Sequence, residues 1–134
     1  MEIARDIDDA YRLMTAYGNL GLARYDLNDW DGALKYFQLK LDLARRLGSK
    51  EDISSAYGSM GTVYQAKGDY AKALDLFLFR FRTARELGNR FSMAVAANNM
   101  AVVSKYAGLY EQAEISIGIS LFLRRRPLHP GTAP

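Results

Sequence analysis

Apolar residues in the middle of the chain recur with the spacing of a helix. Ile53, Ala56, Tyr57, Met60, Val63 and Tyr64 fall at i, i+3, i+4, i+7, i+10 and i+11, which predicts an amphipathic helix. "KGDY" interrupts the stripe: Gly68 suits a left-handed helix terminus, and Asp69 suits an N-cap that accepts a backbone N–H. A second stripe follows at Tyr70, Ala73, Leu74, Phe77, Leu78, Phe81 and Ala84; it ends at Leu87-Gly88, and Asn89 opens the next helix. Leu76 and Phe79 lie off that stripe. This helix is therefore apolar around most of its circumference and is expected to be covered on two sides.

The pattern returns at a shift of 40 residues, seen most plainly in "AYGNLG" at 16–21 and "AYGSMG" at 56–61. Trp30 aligns with Tyr70 and Tyr110, Ala33 with Ala73 and Ala113, Phe37 with Phe77 and Ile117, and Leu47-Gly48 with Leu87-Gly88. The shared positions are small or apolar, where packing constrains the residue. We read three units, at about 11–50, 51–90 and 91–123, each a pair of helices in one domain spanning 1–123. Residues 3–9, "IARDIDD", fall in register with "LARRLGS" and "TARELGN". Residues 1–10 thus read as the end of a preceding repeat, and the chain as a section of a longer array. Asp8 stands where the other units have a terminating glycine, so the first helix is expected to run unbroken from about residue 2 to 27. Ser49 with Asp52 three residues on resembles a capping box. "EQAEISIGISLFL" in the third unit would pass for a strand alone, but the repeat register predicts a helix. From Arg124 the match ends, and 124–134 read as a disordered tail.

These motifs resemble the tetratricopeptide repeat. The residues that carry the likeness are Tyr17-x-x-Leu20-Gly21 with Ala33 and Phe37, then Tyr57-x-x-Met60-Gly61-x-x-Tyr64 with Ala73 and Phe77. Unit three has a weaker version, Ala97-x-x-Met100-Ala101 with Ala113 and Ile117. The usual repeat has about 34 residues; the 40-residue form here resembles the arrays of spindle-orientation adaptors, rapsyn, kinesin light chain and bacterial signalling proteins. The closing proline of the shorter form is absent, and Leu109 replaces the capping aspartate of unit three. The resemblance implies an all-α, right-handed superhelical solenoid of antiparallel helix pairs that acts as a protein–protein interaction scaffold.

Composition narrows the chemistry. The chain has 134 residues, 49% hydrophobic and 25% charged, with a formal charge of +3 and no cysteine. Disulfides, thiol catalysis and cysteine-based zinc sites are excluded. The one histidine, His129, lies in the tail between prolines, so a site built on imidazole is not expected. No phosphate-binding glycine motif is present, and the glycines of "YGNLG" fall inside a helix, where they permit close packing. We expect no enzyme activity, cofactor or metal. No apolar run is long enough to cross a membrane, and the N-terminus lacks the features of a signal peptide, so a cytoplasmic location is expected. Arg80, Arg82, Arg85 and Arg90 are read as a solvated helix flank, and Arg124-Arg125-Arg126 as part of the tail; nucleic acid is not an expected partner.

The candidate surface follows from the solenoid, whose first helices line a concave groove. Binding of extended or helical peptides there is implied by the family resemblance. The first helix would present Thr15, Gly18, Asn19, Leu22, Tyr25 and Asp26, and the second unit Ser55, Ser59, Thr62 and Gln65. The third unit would present Val95, Asn98, Asn99, Val102, Lys105 and Tyr106. Asn19 and Asn99 stand where related repeats place an asparagine amide on the ligand backbone, and an amide can both donate to and accept from a peptide bond. Tyr17, Trp30, Phe37, Tyr57, Tyr64, Phe77 and Phe81 are read as packing residues. The alternative function is self-association: a homodimer formed through terminal helices, with Ile115, Ile119, Leu121 and Phe122 as the sticky face.

Overall fold

Five helices account for nearly all of residues 2–108, which are the residues described by the computed structural model. They are α1 (Glu2–Asp26), α2 (Trp30–Leu47), α3 (Lys50–Lys67), α4 (Tyr70–Leu87) and α5 (Arg90–Tyr106). No strand occurs among the described residues. Helix α1 runs straight through Asp8, as expected from the missing glycine. The 40-residue register is kept to the residue: α2 and α4 begin at Trp30 and Tyr70 and end at Leu47 and Leu87. The segment 109–123, with its helix-or-strand question, and the tail 124–134 lie outside the described residues.

Very short links make each helix pack on the next in the chain, α1 on α2, α2 on α3, α3 on α4 and α4 on α5. Their chemistry is compact. Gly48 takes the left-handed conformation (φ 70°) and its N–H bonds to Arg45 O, while Ser49 N–H bonds to Ala44 O at 3.0 Å. This pair of bonds satisfies the last carbonyls of α2. Ser49 Oγ then accepts from Asp52 N–H at 3.4 Å and opens α3. The expected capping box is only half made. Because Ser49 N–H is already bound to α2, the Asp52 carboxylate turns to the Ser49 hydroxyl instead, accepting from it at 2.6 Å. After α1 the left-handed position is filled by Asn28 (φ 62°), and Asp29 caps α2 through the N–H of Gly32. Asp69 and Asn89 cap α4 and α5 in the same way.

Burial follows the repeat. Ala33, Phe37 and Leu41 of α2 cluster with Ala56, Met60 and Val63 of α3 and with Leu76 of α4. On the other side of α4, Ala73 and Phe77 cluster with Met100 and Val103 of α5. The apolar girth of α4 is thus used on two faces, Leu76 toward one cluster and Phe77 toward the other. Phe79 stays largely exposed, its ring 4.2 Å from that of Tyr57. Phe37 and Phe77 are buried outright; Trp30, Tyr57, Tyr64 and Phe81 are half-buried on the cluster edges, and Tyr17 is half-buried beside Tyr36.

The helical glycines show why these positions repeat. A β-carbon on Gly21 would lie 2.5 Å from Phe37 Cε1, and one on Gly61 would lie 2.8 Å from Phe77 Cε1. Each phenylalanine ring therefore occupies the space its paired glycine leaves open. The glycine-and-phenylalanine pair locks the first helix of a unit onto the second.

Candidate peptide-binding groove

The first helices of the three units carry most of the expected site, and the structure gathers eight of its residues into two recesses. Thr15, Asn19 and Leu22 of α1 meet Ser59 of α3 around a space of about 260 Å³, together with Gly18, Lys40 and Asp52. Met14 and Phe37 floor it, both buried. Near the carboxyl ends of α1, α3 and α5, a second recess of about 210 Å³ is lined by Tyr25, Thr62, Gln65 and Tyr106, with Ala66 and Tyr70. Tyr106 is two-thirds exposed and stacks on Tyr70 at 6.5 Å. Thr62 Oγ1 donates to Gly58 O at 3.1 Å, so toward a ligand its hydroxyl is left as an acceptor.

The rest of the expected set is not brought into these spaces. Asn98 and Lys105 are exposed, and Asn99 and Val102 half-buried, on α5 outside both recesses. The two asparagines singled out by register therefore differ: Asn19 lines a recess and Asn99 does not. The association face at Ile115, Ile119, Leu121 and Phe122 lies outside the described residues.

Two cations line recesses where the sequence did not lead them to be expected, Lys40 the first and Arg80 a third. Lys40 crosses Gly18, whose added β-carbon would sit 3.5 Å from Lys40 Cδ, and Lys40 Nζ donates to Ser55 Oγ at 3.4 Å. Arg80 stands 40 residues on and crosses Gly58 in the same way, its Cδ 2.8 Å from where a β-carbon would be. It lines a third recess, of about 270 Å³, with Glu51, Asp52, Ser54, Ser55, Asn89 and Ser92. The expectation of a solvated arginine flank is thus corrected for Arg80. It is half-buried, its Nε is enclosed without a hydrogen-bond partner among the described residues, and desolvation lowers its pKa from the ordinary guanidinium value. Arg82, Arg85 and Arg90 are exposed. The signal was present in the register: Gly18 and Gly58 pair with Lys40 and Arg80 at equal spacing.

Among the described residues no group of three or more histidine, cysteine, aspartate or glutamate side chains is placed to hold a metal ion. No described helix is long and apolar enough to cross a membrane.

A family model described as tetratricopeptide repeat matches residues 12–85, more than half of the chain. The chain belongs to the tetratricopeptide repeat family. Among solved structures, it is similar to the TPR domain of Arabidopsis FLU, with a TM-score of 0.76 at 16% identity, over 88% of this chain and 98% of that one. At such low identity the likeness speaks for the fold alone. No curated protein matches by sequence. Tetratricopeptide repeats generally mediate protein–protein interaction, and the fold is typically a non-catalytic scaffold.

Proposed function

We propose that the chain is a scaffold whose first helices hold a peptide segment of a partner protein in the concave groove. What supports this reading is the convergence of Thr15, Asn19, Leu22 and Ser59 from two different units around one recess. An exposed amide at Asn19 beside the exposed Leu22 offers the pairing a peptide needs: a group that matches a backbone amide, and an apolar surface for a side chain. Lys40 adds a donor on the same wall.

A peptide-library screen on the whole chain, followed by titration of the selected peptides against wild type and Asn19→Ala, tests this. A hydrogen bond of about 1 kcal/mol predicts roughly fivefold weaker binding by the variant. Equal affinity for both proteins would remove Asn19 and its recess from the site.

A further inference from the structure

Arg80 is positioned by its backbone and stem, not by a counter-charge. Its carbonyl accepts from the buried Ser54 Oγ at 3.5 Å, which ties this turn of α4 to α3. Its stem crosses Gly58, where an added β-carbon would lie 2.5 Å from Nη1 of the guanidinium and 2.8 Å from Cδ. Among the described residues the guanidinium enters no ion pair, and its enclosed Nε has no hydrogen-bond partner. Glu51 and Asp52 line the same recess without coming within ion-pair distance of it. The Asp52 carboxylate accepts from the Ser49 hydroxyl at 2.6 Å instead, and Glu51 is exposed. Taking a charge out of water without a counter-ion is costly. Arg82 and Arg85 on the same helix stay exposed and avoid that cost. A preset, half-buried guanidinium at the edge of an open recess is short of one anion.

We infer that the recess lined by α3, α4 and α5 takes an acidic side chain of the partner, its carboxylate seated on the terminal nitrogens of Arg80. With Nε enclosed, those nitrogens are the donors the guanidinium can offer, and its planar fork matches a carboxylate with two parallel hydrogen bonds. The neighbouring polar groups are set to donate as well. Ser55 Oγ accepts from Lys40 Nζ, which leaves its hydroxyl hydrogen to give. Asn89 Oδ1 accepts from Ser92 N–H, which leaves the Asn89 amide NH2 to give. The carboxylates of Glu51 and Asp52 in the same recess disfavour a polyanion, so a lone acidic residue fits and a nucleic-acid strand does not. Asp52 also lines the recess of Asn19 and Leu22, so one peptide can occupy both spaces. The guest's being a peptide rests on the groove reading above; its acidic residue rests on Arg80.

The smallest probe is N-acetyl-glutamate α-amide, titrated into the whole chain while the Arg80 Nε–H resonance is followed by NMR. Arg80→Met identifies that resonance by its loss, and a far-UV spectrum matching wild type verifies that the variant folds. A saturable shift at millimolar concentration is expected, and none with N-acetyl-glutamine α-amide. Gly58→Ala keeps the charge but pushes the guanidinium from its notch, and should weaken the binding several-fold. No shift, or an equal one with the glutamine amide, would overturn the site. Inorganic phosphate bound more tightly than the glutamate amide would overturn the carboxylate assignment. In peptides selected on the whole chain, changing the acidic residue to its amide should weaken binding to wild type roughly tenfold and hardly affect binding to Arg80→Met. Equal losses in both proteins, or selected peptides without an acidic residue, would also overturn it. A screen that yields no peptide would remove the groove reading alone, because the glutamate amide tests Arg80 by itself.

Discussion

Replacing Gly21 with alanine sets two effects of similar size against each other. Alanine in a helix interior is favoured over glycine by about 1 kcal/mol, from backbone entropy and propensity. At Gly21, however, the new β-carbon would lie 2.5, 2.7 and 2.9 Å from Cε1, Cδ1 and Cζ of Phe37. The ring is flat, stiff and almost wholly buried, so it has no exit toward solvent. Either α1 retreats from α2 or the ring leaves its rotamer, and overpacking of this kind costs about 1–3 kcal/mol. The expected net result is a loss of up to about 2 kcal/mol, opposite in sign to the propensity effect. Gly18, one turn away, is the internal control. Its nearest neighbours would be Cδ and Nζ of Lys40 at 3.5 Å, an ordinary contact with a side chain that can move. Gly18→Ala is therefore expected to gain up to about 1 kcal/mol. Urea denaturation followed by circular dichroism reads both signs directly, provided the slopes match. The double variant Gly21→Ala/Phe37→Leu should lose less than the sum of its parts. A Gly21→Ala midpoint that rises like that of Gly18→Ala would refute the glycine-and-phenylalanine lock.

Two further outcomes are expected. Ala73→Leu places a large side chain at a fully buried position between helices, and a thermal or urea melt should show a loss of about 1–3 kcal/mol; an unchanged melt would count against the helix pairing. Arg80→Met keeps the stem across Gly58 but removes a half-buried guanidinium that takes part in none of the ion pairs among the described residues, so stability should hold or rise by up to about 1 kcal/mol. A clear loss in the Arg80→Met melt would reveal a charge partner that the packing does not show.

The helix pairs were legible because packing writes itself into sequence. Ala33 and Ala73, Phe37 and Phe77, and Gly21 and Gly61 recur because the same close approach recurs, with Phe37 and Phe77 filling the space that Gly21 and Gly61 leave open. The position of the N-caps was equally plain in Asp69 and Asn89. What Asp52 does was not, because the fate of Ser49 N–H depends on how few residues separate α2 from α3. The recesses were only partly legible. Periodicity places Thr15, Asn19 and Leu22 on one face, but whether an exposed face becomes a recess depends on the neighbouring helix, which α3 supplies for Asn19. Composition alone also could not separate Arg80 from Arg82. Two residues along a helix turn a side chain by more than half a revolution, and only the gap left by Gly58 shows which arginine goes inward.

The links between helices carry a consequence for how such a chain can change in length. At Gly48-Ser49 one residue terminates a helix by its N–H while its hydroxyl initiates the following helix. An inserted residue would separate those two duties and swing everything downstream out of phase with the rings and notches upstream. The connections therefore tolerate no slack, and lengthening or shortening is expected to succeed only in whole modules, which restore every hinge and every notch at once.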